Sequence, residues 1–209
     1  MKTDAPGQES DRAASEPIFL VVGPPAVGKS TTSRALAARF PRSIHIPVDD
    51  LRNMVVSGIA LPGAVWSDEV AQQVTLARTG AVHQALAYHG AGFSVVIDDF
   101  LDTNHGSDYR ALLGHPSLCR VVLFPDQVAA HQRNLQRSGE SPARAYIDEG
   151  VRIVYGQLGA TVRQLAQEGC LVIDTTNLSV EDTVTEILKR TGSGGQLAPA
   201  STDRRQAGR

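Results

Sequence analysis

Gly23-Pro24-Pro25-Ala26-Val27-Gly28-Lys29-Ser30 follows the apolar run Ile18-Phe19-Leu20-Val21-Val22 and leads into a helical pattern from Thr31 to Phe40. A G-x-x-x-x-G-K-S spacing between a buried strand and a helix restricts the fold more than any other feature of the chain. Glycines let the backbone curl until successive N–H groups face one anion. The helix that follows adds its positive amino end. Lys29 is placed to reach the β- and γ-phosphates of a triphosphate, and the Ser30 hydroxyl to meet a magnesium ion. Gly23, Pro24, Pro25, Ala26, Val27, Gly28, Lys29, Ser30 and Thr31 are therefore expected to hold a nucleoside triphosphate.

The rest of the pattern repeats this alternation. Short apolar runs rich in β-branched residues fall at about 17–22, 43–48, 93–97, 119–124 and 170–174. Helical patterns lie between them, including a long one at about 67–89 and others at about 126–137, 145–168 and 179–190. Strands that do not alternate apolar with polar are buried on both faces, as in a parallel sheet. Right-handed crossovers then predict a doubly wound, five-stranded α/β fold with ligands at the carboxyl ends of the strands. Ser179 followed by Asp182 marks the start of the last helix.

That rim collects the remaining candidates. Asp49 and Asp50 follow the second strand, Asp98 and Asp99 the third, and Asp174-Thr175-Thr176-Asn177 the fifth. A single carboxylate there reads as a helix cap or turn former. Two adjacent pairs on a nucleotide-binding rim point to function. Asp98 is expected to hold Mg²⁺ with Ser30, with Asp99 as the alternative metal acid or a substrate contact. Asp49 is expected to take the proton from an acceptor hydroxyl during phosphoryl transfer. Arg52, one turn on, either clamps the acceptor or pairs with Asp49. Arg133 and Arg137 share a helix face ahead of a Gly- and Pro-containing segment, with a lid expected at about 138–146. Such a lid would exclude water and bring positive charge to the transferring group. Asn177 is expected at the adenine edge. Arg78 is an acceptor-side candidate, and Trp66 is core or pocket wall.

Composition sets limits. A net charge of −2 over 209 residues leaves no electrostatic footprint for nucleic acid or an anionic membrane. No apolar stretch approaches the roughly 20 residues of a membrane span. Residues 1–15 lack an apolar signal core, so the expected setting is cytoplasmic. Residues 1–15 and 192–209 read as disordered tails flanking one domain at 16–191. Cys119 and Cys170 fall in apolar runs as packing residues, without metal-ligand spacing.

From the phosphate loop, Val48-Asp49-Asp50-Leu51-Arg52 and Val96-Ile97-Asp98-Asp99-Phe100, the chain resembles the small P-loop kinases of the adenylate-kinase-like group over about 17–191. The resemblance implies ATP as the donor, with Mg²⁺. Asp49-Asp50-Leu51-Arg52 is similar to the Asp-Asp-x-Arg element of polynucleotide 5′-kinases, which implies Asp49 as general base and Arg52 as the holder of an acceptor phosphate. The pairs after strands two and three also resemble chloramphenicol 3-O-phosphotransferase, which implies a small-molecule hydroxyl acceptor. An arginine at 52 departs from the latter. The lack of basic surface and of a fused phosphatase domain departs from the former. The expected activity is transfer of the ATP γ-phosphate to a small alcohol, with a polynucleotide or nucleotide kinase and a non-catalytic ATP-dependent switch as alternatives.

Overall fold

The computed structural model describes residues 16–61, 66–101, 106–138, 155 and 158–193, the side chains of 106, 107 and 136–138 excepted. The expected lid beyond Ser138 and both expected tails, apart from 192 and 193, lie outside them. The elements run β1 (Ile18–Gly23), α1 (Lys29–Ala37), β2 (Ser43–Pro47), α2 (Val48–Asn53), α3 (Asp68–Gly90) and β3 (Ser94–Phe100). A 3₁₀ turn (Gly106–Tyr109) then leads into α4 (Arg110–Leu113), followed by β4 (Leu118–Leu123) and α5 (Gln127–Ser138). A helix over 158–167, here α6, precedes β5 (Leu171–Ile173) and α7 (Val180–Thr191).

The five strands pair in parallel in the order β2-β3-β1-β4-β5. Strand residues alternate between the two faces. Phe19, Val21 and Val96 pack with Leu36 of α1 and Ile187 of α7. Ile18, Leu20, Val95 and Ile97 pack with Ala77 and Ala81 of α3 and Leu112 of α4. Both faces are covered, which is why the strands read as nearly continuous apolar runs. Cys119 and Cys170 are not disulfide-bonded, and burial pushes both thiols up.

Local chemistry sets the element ends. The Ser67 hydroxyl accepts from the Val70 amide at the start of α3. Ser179 and Asp182 form the full reciprocal cap of α7, and Gly192 closes that helix at φ 70. The turn and helix over 106–113 were not expected from the sequence. Gly106, Ser107, Asp108 and Pro116 give that stretch the composition of a loop, but Tyr109 and Leu112 bury against α3 and stabilise it.

The third strand is longer than expected, with consequences for the site. It continues through Asp98 and Asp99 to Phe100, in register with Val21, Val22 and Gly23. The two acids therefore do not stand together on a rim. Asp98 continues the face of Val96 toward α1, and Asp99 continues the face of Ile97 toward α3.

Candidate active site

The phosphate loop has the geometry that its residues demand. Gly28 sits at φ 90 and Ala26 at φ 61, the one non-glycine with positive φ among the described residues. Ala26 adopts this conformation against its own steric preference, and such outliers cluster where a backbone must aim its amides. Gly23 is required for another reason. A Cβ there would stand 2.4 Å from the Leu123 carbonyl oxygen, so β1 and β4 could not approach as they do.

The first turn of α1 carries no acidic side chain and no side-chain cap. Its amino end is thus left to an anion. Lys29 Nζ donates to the Pro24 carbonyl at 2.8 Å, which folds the ammonium across the loop.

Beside this cradle the Ser30 hydroxyl donates to Asp98 Oδ1 at 3.0 Å. Asp98 is buried, and its other oxygen is held by His45 Nε2 from β2. Magnesium takes oxygen donors, and commonly keeps one or two from the protein while water and phosphate fill the rest. The Ser30–Asp98 pair fits that requirement. Among the described residues no cluster of three or more His, Cys, Asp or Glu could cage a metal alone.

Pro47, the last residue of β2, is in register with Asp98. Asp49 follows two residues later in the first turn of α2, with its side chain 62% exposed. Arg52 Nη2 lies 3.5 Å from Asp49 Oδ1. The rest of that side chain is largely buried, and its Nε has no hydrogen-bond partner among the described residues. Of the two expectations for Arg52, the geometry displays the pairing with Asp49.

Asp99 needs correction as a substrate contact or metal acid. Its carboxylate is fully buried and accepts from Arg78 Nε at 2.7 Å, the Tyr109 hydroxyl at 2.9 Å and the Phe100 amide at 2.8 Å. Arg78, itself 1% exposed, also reaches Asp108 at 3.1 Å and lies 4.7 Å over the Phe100 ring. Burial pushes the Asp99 carboxyl up, against the opposing pull of Arg78, Tyr109 and the Phe100 amide. Arg78, expected at the acceptor side, is likewise the centre of an internal charge cluster joining α3, β3 and the 106–109 turn.

Arg133 also departs from expectation. Its guanidinium donates to the Thr175 carbonyl at 2.6 Å and to Thr175 Oγ1 at 3.3 Å. It ties α5 to the loop after β5 instead of standing free as a lid cation. Asp174 Oδ1 accepts from the Thr176 amide at 2.9 Å, and the Thr176 hydroxyl accepts from the Asp126 amide at 2.8 Å. The bonds from Thr176 hold the Asp174 carboxyl below its usual range. Asn177 is exposed in the turn beyond. Arg137 lies in α5, and its side chain is outside the described residues.

The sequence reading did not single out His45. A histidine among Ile44, Ile46 and Pro47 has no motif, and only the β2–β3 pairing reveals its partner.

A parallel sheet of this order, with a phosphate cradle between β1 and α1 and an acid at the end of β3, defines a P-loop nucleotide-binding domain with the fold of the small P-loop kinases. A family model described as an AAA domain matches residues 18–152, well over half of the chain. The chain belongs to that family. Solved structures share the fold at low identity. Shikimate kinase from Bacteroides thetaiotaomicron matches at 14% identity and TM-score 0.60, over 84% of this chain and 98% of that one. Shikimate kinase from Acinetobacter baumannii, in complex with shikimate, matches at 17% and 0.57, over 89% and 98%. The Deinococcus radiodurans tunicamycin resistance protein matches at 20% and 0.51, over 88% and 99%. No curated protein matches the sequence. No helix among the described residues is long and apolar enough to cross a membrane.

Proposed function

We propose that this chain transfers the γ-phosphate of ATP to a hydroxyl of a small molecule. The observation that carries the reading is the Ser30–Asp98 oxygen pair at the mouth of an amide cradle, with Asp49 two residues beyond the strand end that registers with Asp98. A cradle alone would serve a switch. A second, exposed carboxylate past the neighbouring strand is the extra part that a transferase needs.

In this reading the backbone N–H groups of residues 26–30 and the Lys29 ammonium hold the β- and γ-phosphates. Ser30 and Asp98 hold Mg²⁺, which supplies charge neutralisation when bound. Asp49 accepts the proton of the acceptor hydroxyl as its oxygen approaches phosphorus. Arg52 holds Asp49 in place before the acceptor arrives and then offers its unused donors to the acceptor. Arg137 takes the lid role at the transferring group, while Arg133 stiffens the loop that carries Asn177 against the base. ATP over GTP rests on the resemblance to the small P-loop kinases, and no guanine-reading Asn-Lys-x-Asp element is present in the sequence.

The acceptor side favours a small, partly apolar alcohol over a nucleic acid. Met54, Val56, Ile59, Leu61 and Trp66 are exposed between α2 and α3, and no basic stripe accompanies them. Gln73 clamps this stretch to α3 by accepting from the Ala60 amide and donating to the Gly58 carbonyl. The shikimate kinases of the same fold are named for a small hydroxylated acceptor. A nucleotide or polynucleotide kinase remains the second reading, favoured by the half-buried Arg52.

Labelled ATP with a panel of alcohols, nucleosides and oligonucleotides tests both. Label on a small alcohol is expected; label on oligonucleotide 5′-ends would replace the first reading with the second. Asp49→Asn is expected to abolish transfer while ATP affinity stays within about twofold, since the carboxylate acts on the acceptor. Unchanged transfer in that variant would remove Asp49 from the chemistry.

A further inference from the structure

His45 is a largely covered polar group that the proposed chemistry does not use. It occupies the middle of β2, in register with Val96, and its side chain is 11% exposed. A half-covered strand position between Ile44 and Ile46 has no structural need for an imidazole, and an unpartnered one would cost desolvation energy. Its ring has one partner among the described residues, Asp98 Oδ2, while Asp98 Oδ1 takes the Ser30 hydroxyl. An ionised carboxylate only accepts, so Nε2 is the donor of that contact. Both oxygens of Asp98 are thus engaged, one from α1 and one from β2.

We propose that His45 is a positioning residue for the divalent cation. By holding Oδ2 it fixes the Asp98 carboxylate so that Oδ1 and Ser30 Oγ face the nucleotide as a set pair of oxygens. This rests on the reading of Ser30 and Asp98 as the magnesium-holding pair. The physical need is clear. An aspartate side chain turns about two bonds, and either oxygen, or both, could otherwise face the ion. Magnesium accepts little departure from octahedral geometry. A carboxylate tied at one oxygen presents a single donor in one direction. Partners that orient a metal ligand in this way commonly account for about 10–100-fold in metal affinity. The register explains why β2 supplies it: Asp98 points to the α1 face, and His45, two residues before its register partner Pro47, points to the same face one strand away.

The test is calorimetric titration of the full chain with a non-hydrolysable ATP analogue, in excess MgCl₂ and in EDTA. The readout is the ratio of the two affinities. His45→Leu is expected to lower the magnesium-dependent gain by about 10–100-fold, with affinity in EDTA unchanged within about twofold. His45→Gln, whose amide can donate to Oδ2, is expected to restore most of the gain. Should the leucine variant fail to fold, His45→Asn reads the same ratio, because its shorter amide falls short of Oδ2. A wild-type ratio near one would refute the magnesium role of Ser30 and Asp98. A large wild-type ratio that persists in His45→Leu or His45→Asn would overturn the role of His45 alone. Equal weakening in MgCl₂ and EDTA would also overturn it, since that is the mark of a purely structural residue.

Discussion

Replacing Arg78 by methionine removes the one cation of a buried cluster while keeping most of its bulk. Its side chain is 1% exposed, and it faces Asp99 at 2.7 Å and Asp108 at 3.1 Å, whose side chains are 0% and 9% exposed. Without it, the Asp99 carboxylate is left buried with, among the described residues, the Tyr109 hydroxyl and the Phe100 amide. Breaking a buried pair from one side costs about 3–5 kcal/mol. For a domain of this size that lowers Tm by roughly 6–20 °C. The pH dependence follows from Asp99. Burial already pushes its carboxyl above the ordinary 3.8, and losing Arg78 pushes it further. A carboxyl whose folded pKa exceeds its unfolded one contributes less stability as pH rises through the folded value. The deficit of Arg78→Met against the wild type is therefore smallest in acid and grows toward neutrality. Adding Asp99→Asn to Arg78→Met is expected to recover about 1–3 kcal/mol at pH 7, since the two residues couple directly. Denaturant melts of the wild type, both singles and the double at pH 5 and pH 7 check this. A loss under about 1 kcal/mol at pH 7, or a deficit that ignores pH, would refute the assignment of Asp99 and Arg78 as a buried ion pair.

Four further outcomes are expected. Gly23→Ala drives a Cβ into the Leu123 carbonyl and should destabilise by about 1–3 kcal/mol in calorimetry; Gly28→Ala meets no atom within 4 Å and should lose only the roughly 1–2 kcal/mol of its left-handed backbone. Ser179→Ala removes the acceptor for the Asp182 amide and should cost about 1 kcal/mol in urea melts. Lys29→Ala should abolish the thermal stabilisation by ATP with MgCl₂, because a ligand raises the melting point only of a protein that binds it; an unchanged shift would move the nucleotide away from the loop.

Much of this arrangement was legible in residue order. The phosphate loop declares itself because its glycines, lysine and serine are contiguous and their roles depend on backbone geometry alone. The parallel sheet follows from strands that are apolar on both sides. Contacts made by side chains between distant elements were harder to read. The sequence predicts that the third strand stops at Ile97, since two aspartates are poor strand formers, and that stop hides the alternation that sends Asp98 and Asp99 to different partners. Arg78 reads as an acceptor-side candidate because Asp99, Asp108 and Tyr109, which it meets in the fold, lie 21 to 31 positions away in the chain. Arg133 shares a helix face with Arg137, but spacing does not say that Thr175 carbonyls will claim it. His45 lacks any local signal, and only the register of β2 against β3 brings it to Asp98.

The alternation along β3 has a bearing on how such a chain can change over generations. Consecutive acids serve opposite sides of the sheet, one beside the phosphate loop and one beside α3. Point replacement can retune either side without disturbing the other. A one-residue insertion or deletion ahead of Asp98 would swap the two at a stroke, turning an acid away from Ser30 and another away from Arg78. Single replacements along this strand are thus borne more easily than any change in its length.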